Sequence, residues 1–126
     1  MEKLIIQTNN APAAIGPYSQ GVKAGNFIFV SGQIPIDPAT GQMISSTIEE
    51  ETHRVMKNLS AILEAAGTTA AGVIKTTIFL KSMDDVAKVN EVYASYFSGA
   101  FPARETVEVA RLPKDARVEI SVVAMV

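Results

Sequence analysis

One strongly one-sided helix set among β-rich runs constrains this chain more than any other feature. Ile48, Thr52, Val55, Met56, Leu59, Ile62, Leu63 and Ala66 recur at helical spacing, so residues 48–66 present a single apolar face. Ser46 and Thr47 open the segment, each followed three residues later by a glutamate (Glu49, Glu50), and Gly67 ends it. Short runs rich in β-branched and aromatic residues flank it at 4–6, 22–23, 27–30, 73–80, 106–109 and 118–125. A second helix is expected from Ser82, with Asp85 three residues on and an apolar stripe of Val86, Val89, Tyr93 and Phe97.

The resulting order, βββαβαββ, predicts an α+β domain: a mostly antiparallel or mixed β-sheet with two helices on one face. Residues 106–109 and 118–125 are expected to close the chain as a hairpin, which would lay Glu119 beside the strand that Arg104 begins. The chain, residues 1–126, is read as a single domain large enough to bury a core. In the last run Val118, Ile120, Val122 and Ala124 line one face, yet Val123 and Met125 make the other partly apolar. Two helices cover one side only, so the uncovered face is expected to pack against further copies of the chain.

Charge and composition narrow the function. Eleven Lys and Arg against 13 Asp and Glu leave a net charge of −2, which weighs against broad nucleic-acid or acidic-membrane binding. A local basic cluster of Arg104, Arg111, Lys114 and Arg117 remains. Cysteine is absent, which removes disulfides, thiolate metal sites and a thiol nucleophile. His53, the one histidine, falls opposite the apolar stripe, so no zinc site or Ser-His-Asp triad is expected. Glu49, Glu50 and Glu51 suit the positive end of a helix rather than a metal. No phosphate-binding glycine loop is present, and no nucleotide cofactor is expected. Without a signal-peptide pattern or a long apolar window, the expected location is cytoplasmic.

The residues that suggest chemistry are few. Arg104 follows Pro102-Ala103, and its guanidinium can grip a planar carboxylate with two parallel hydrogen bonds, or serve a surface or interface ion pair. Glu119 points away from the Val118/Ile120/Val122 face; it is either solvated or buried at an interface between copies, where it can hold or deprotonate water. Asn90 falls inside the stripe of the second helix and must find hydrogen-bond partners there, from a ligand or from a neighbouring loop. Ser31-Gly32 ends a strand, with glycine admitting close approach of a ligand or of another backbone. Tyr18 is a packed loop anchor or a ring closing over a ligand.

Together, Gly16-Pro17-Tyr18-Ser19-Gln20, Val30-Ser31-Gly32-Gln33, Asn90-Glu91-Val92-Tyr93, Pro102-Ala103-Arg104 and Leu112-Pro113-Lys114…Val118-Glu119-Ile120 resemble the RidA (YjgF) family of reactive-intermediate enamine/imine deaminases, in order from about Leu4 to the C-terminus. The resemblance implies a chorismate-mutase-like fold, a homotrimer with clefts between subunits, and no cofactor. It also implies hydrolysis of 2-aminoacrylate, 2-aminocrotonate or related 2-imino acids to 2-keto acids and ammonia. On this resemblance Arg104 binds the substrate carboxylate and Glu119 orients the attacking water. Tyr18, Ser31, Gly32 and Asn90 line the cleft, and Thr106 contributes mainly backbone polar groups. Glu105 and Ser121 depart from the family pattern, and Glu105 is expected to narrow substrate choice if it faces the cleft. Two other classes remain open. One is a non-catalytic sensor of 2-keto acids or amino acids using the same clamp; the other is an RNA-directed translation inhibitor or ribonuclease resting on the basic cluster.

Overall fold

The computed structural model describes residues 2–126. Six strands form one sheet: β1 (Lys3–Ile6), β2 (Gly21–Ala24), β3 (Phe27–Gln33), β4 (Val73–Leu80), β5 (Ala103–Glu108) and β6 (Val118–Met125), in the spatial order β1-β2-β3-β6-β4-β5. All neighbours are antiparallel except β4 and β5, which run parallel. Two α-helices, α1 (Ile48–Ala65) and α2 (Val86–Ala94), cover one face. The order βββαβαββ and the mixed two-layer architecture are those expected from the sequence.

The helix termini follow their residues. Thr47 caps α1, its Oγ1 accepting from the Glu50 N–H at 3.2 Å. Ser82 caps a single 3₁₀ turn at 83–85 rather than α2 itself, accepting from the Asp84 N–H, and α2 grows from that turn. The core lies between the apolar stripe of α1 and the inward row of the central strands: Val55, Leu59 and Ile62 meet Ile28, Ile78, Leu80, Val118 and Ile120, all 2% exposed or less. Each such side chain stabilises the fold by about 1.5–3 kcal/mol relative to an exposed one.

One expectation is overturned. Residues 103–108 and 118–125 do not form a hairpin, because β4 lies between them and pairs with both. The reason is connectivity: α2 carries the chain over from β4 to a parallel neighbour, a crossover that a two-residue turn cannot make. The stretch 109–117 then steps across β4 to reach its other edge. Strand β5 also begins three residues earlier than the sequence pattern suggested, at Ala103. Arg104 therefore lies within the strand.

The far face of the sheet carries no helix. Phe27, Phe29, Val107 and Met125 are between 40% and 49% exposed there. The register places Phe29 beside Val22 and Val123, with Ile5 beyond Val22, so these apolar side chains form a continuous surface.

Candidate active site

Glu119 occupies a pocket of about 560 Å³ whose wall includes Tyr18, Ser31, Gly32, Gln33, Ile34, Ile36 and Lys114. It stands on the uncovered side of β6, opposite Phe79 of β4 in register. Strand β3 is irregular between Val30 and Gln33, and this bulge turns Gly32 onto Glu119. A Cβ at position 32 would overlap the Glu119 carboxylate, so any larger residue there must displace that side chain. Half burial raises the Glu119 carboxyl above its ordinary range by desolvating it.

A network of hydrogen bonds fixes the loop that bears Tyr18. The Ser31 hydroxyl donates to the Ser19 carbonyl at 2.5 Å, and the Ser31 N–H donates to the Gln20 carbonyl at 2.9 Å. The buried Gln20 amide ties the loop to the preceding segment: its Oε1 accepts from the Thr8 N–H at 2.7 Å and its Nε2 donates to the Pro12 carbonyl at 2.8 Å. Ser31 thus spends its proton on shaping the loop. Tyr18 is half exposed at the pocket wall.

Arg104 lies elsewhere. It lines a second pocket of about 270 Å³ with Asn90, Tyr93, Ala94, Phe101 and Pro102. Its guanidinium carbon sits 5.2 Å from the centre of the Tyr93 ring. Arg104 forms no ion pair among the described residues, so the surface salt bridge left open by the sequence is not formed within the chain. Two buried oxygens accompany it without partners: Asn90 Oδ1, and Oγ1 of Thr106, two residues further along β5.

Arg104 and Glu119 are on opposite faces of the sheet. Arg104 pairs with Thr76, whose side chain is buried under α2, whereas Glu119 pairs with Phe79, three residues on and hence on the other face. Two interstrand steps and three residues of rise separate their Cα atoms by roughly 14 Å. The candidate residues therefore fall into two separate groups. Tyr18, Ser31, Gly32 and Glu119 form one, and Asn90, Thr106 and Arg104 the other. The side-by-side pair expected from a terminal hairpin is not formed within the chain.

Glu105 faces away from Arg104, held on the uncovered side by Lys75 at 3.0 Å and by the Thr77 hydroxyl at 2.6 Å. The Thr77 hydrogen bond and then Lys75 lower its carboxyl below the usual range. Ser121 lies across Thr77 in the same row. Half of the basic cluster is committed: Arg111 pairs with Asp115 at 2.7 Å, and Arg117 pairs with the buried Glu51. Sequence reasoning includes Gln20 in the Gly16–Gln20 motif but misses its role in tying down the loop. It places Tyr93 in the stripe and in the Asn90–Tyr93 motif, but gives it no role beside Arg104.

Comparison with known proteins fits this arrangement. Residues 8–126 match the family described as Endoribonuclease L-PSP. A RutC family protein of Pyrococcus horikoshii is 57% identical over 97% of both chains. A protein of Escherichia coli K12 named 2-iminobutanoate/2-iminopropanoate deaminase is 48% identical over 95% of both. Among solved structures, E. coli TdcF with bound serine aligns with a TM-score of 0.94 and 42% identity over 98% of both chains. The order of motifs, the fold and these likenesses converge: this chain belongs to the RidA (YjgF) family.

Proposed function

We propose that this protein hydrolyses small 2-imino acids and their enamine tautomers, of the 2-aminoacrylate and 2-aminocrotonate type, to 2-keto acids and ammonia. The reaction takes place where the Arg104 half-site of one protomer meets the Glu119 half-site of its partner in a homotrimer. One observation carries this reading: Arg104 is an uncommitted carboxylate clamp beside two unsatisfied buried oxygens, while the desolvated Glu119 waits on the opposite face. Such halves are complementary across a seam and useless apart. Support also comes from the deaminase name of the E. coli relative and from the serine, a small α-amino acid carboxylate, held by TdcF.

The chemistry asks little of the protein. Arg104 holds the substrate carboxylate with two N–H donors, fixing C2 of the iminium. That carbon is already electrophilic. Water held by Glu119 adds to it, forming the C–O bond as the C=N π pair moves onto nitrogen. Glu119 takes the proton released by the water and returns it to the amino nitrogen. The carbinolamine then collapses: Glu119, again a carboxylate, takes the hydroxyl proton as the O–H pair forms the keto C=O, and the C–N bond breaks with its electrons leaving on nitrogen as ammonia, which carries that proton away from Glu119 as ammonium. An enamine first takes a proton at C3 to become the imine, for which a carboxyl with a raised pKa is a suited donor. Tyr18, Ser31, Gly32, Asn90 and Thr106 shape the walls that keep bulk water out.

The test couples a dehydratase, which generates the imine in situ, to semicarbazide trapping. The protein should suppress trapping and speed ammonia release, and Arg104→Ala should lose ten- to a hundredfold of that effect, the worth of a charged hydrogen-bonded clamp. Full activity in Arg104→Ala would discard the assignment. Saturable keto-acid binding with no faster imine decay would favour the sensor. The RNA-directed reading draws on the family description, but Arg111 and Arg117 are neutralised by their own carboxylates.

A further inference from the structure

The Arg104 guanidinium does not float at the strand edge. The Tyr93 ring lies 5.2 Å beneath it, and the Tyr93 hydroxyl donates to the Thr76 Oγ1 at 2.8 Å. Thr76 is the residue beside Arg104 in the parallel pairing of β4 and β5. The same tyrosine is therefore fastened to the neighbour of the arginine it supports. Behind it, Tyr93 packs on Phe97 with ring centres 4.8 Å apart, and Phe97 on Phe101 at 6.0 Å. Tyr93 and Thr76 are buried, so the ring has no freedom to leave. Burial raises the Tyr93 phenol above its ordinary range, against the smaller lowering effects of Thr76 and Arg104, and the ring stays uncharged.

We infer that Tyr93 is the positioning residue of the carboxylate clamp: its π face holds the Arg104 guanidinium in place at the pocket wall. This rests on the reading of Arg104 as a carboxylate binder and adds to it a residue with no polar contact to the substrate. An unstacked arginine on an exposed edge samples many rotamers and must give up that freedom on binding. Stacking over a ring face holds it by an electrostatic attraction while leaving the in-plane donors free. The hydroxyl serves a different purpose from the ring. It satisfies Thr76 inside the sheet, while burial and the packing on Phe97 keep the ring in place below the arginine.

Ring and hydroxyl separate by experiment. In Y93F the π face is kept and the affinity for 2-oxobutanoate, measured by titration calorimetry, should stay within about twofold. In Tyr93→Leu the dissociation constant and KM should rise about three- to tenfold with kcat largely kept. Because Tyr93→Leu opens a gap in the core, a second series keeps the shape: phenylalanines of increasing ring fluorination at position 93, which progressively remove the negative face. Affinity falling stepwise with fluorination, at unchanged melting temperature, supports the assignment. A flat series in a protein that binds 2-oxobutanoate overturns it and leaves the clamp intact. Absence of any carboxylate binding by the unsubstituted protein would sink the clamp and this inference together. Binding that follows the fluorine series without faster imine decay would sink the deaminase reading alone.

Discussion

Glu119 and Gly32 form a matched pair in which each residue dictates the other. The bulge of β3 presses the Gly32 backbone onto the carboxylate, and this contact together with the pocket wall desolvates it. Gly32→Ala places a methyl group where the carboxylate lies; we expect a loss of about 1–3 kcal/mol in denaturant unfolding, typical of overpacking, and loss of imine hydrolysis as Glu119 is displaced. The raised carboxyl also has a signature in pH. Below the ordinary carboxylate range Glu119 is protonated in both folded and unfolded states and costs nothing. As pH rises from the unfolded value through the raised folded value, the unfolded chain releases its proton first, so the native state loses stability across that window and stays lower above it. Glu119→Gln removes this loss. Its melting temperature should match that of the parent near pH 3 and exceed it at pH 7, while its activity falls. Equal melting temperatures at pH 7 would show that burial does not set the state of this group.

At the scale of elements, helix α1 is held at its start by two different devices. The Thr47 hydroxyl caps the first turn, and Thr47→Ala should cost about 1 kcal/mol. Glu51 does more than complement the helix macrodipole: it is buried, and Arg117 reaches it from the segment before β6 while also donating to the Ser46 carbonyl. Arg117→Ala leaves that carboxylate buried without its cation and should cost about 2–4 kcal/mol by urea unfolding, less than a wholly buried pair because the arginine is partly exposed. Only the first device was legible. A cap is a local pattern, four residues long, whereas the Glu51–Arg117 pair joins residues 66 positions apart with nothing in the sequence to match them. The same limit explains the hairpin that does not form. The strands at 73–80 and 118–125 announced themselves by β-branched runs, and Val73–Leu80 has the boundaries expected. Which edge of β4 the chain would join after α2 depends on a crossover, and the alternation of residues within β5 carries no information on its neighbour.

Across the whole molecule, the motifs of the candidate site were legible residue by residue, and their distribution over two faces was not. Periodicity gave the direction of Glu119 correctly, but the side taken by Arg104 follows from parallel pairing with Thr76, a long-range fact. The two faces then argue for assembly. On the proposed reading, a chain whose clamp opens beside α2 and whose acid opens on the bare sheet takes a neighbour that presents the other half, and a head-to-tail contact whose rotation closes forms a ring. In the proposed trimer the bare face is the surface for adhesion, with Phe27, Phe29, Val107 and Met125 all partly exposed. Phe29→Glu should break the assembly to monomers by sedimentation and remove activity without unfolding the chain. A shared site also makes a quantitative demand. Arg104→Ala and Glu119→Gln should each keep no more than about a tenth of the parent activity alone, because every seam then lacks one partner. Unfolded together in equal amounts and refolded, they form mixed rings in which some seams join an intact Arg104 to an intact Glu119. For random mixing about one seam in four is whole, so activity should recover to roughly a quarter of that of the parent protein. A site contained within one chain predicts no recovery at any mixing ratio, and that result would return both half-sites to a single protomer and end the case for a catalytic seam.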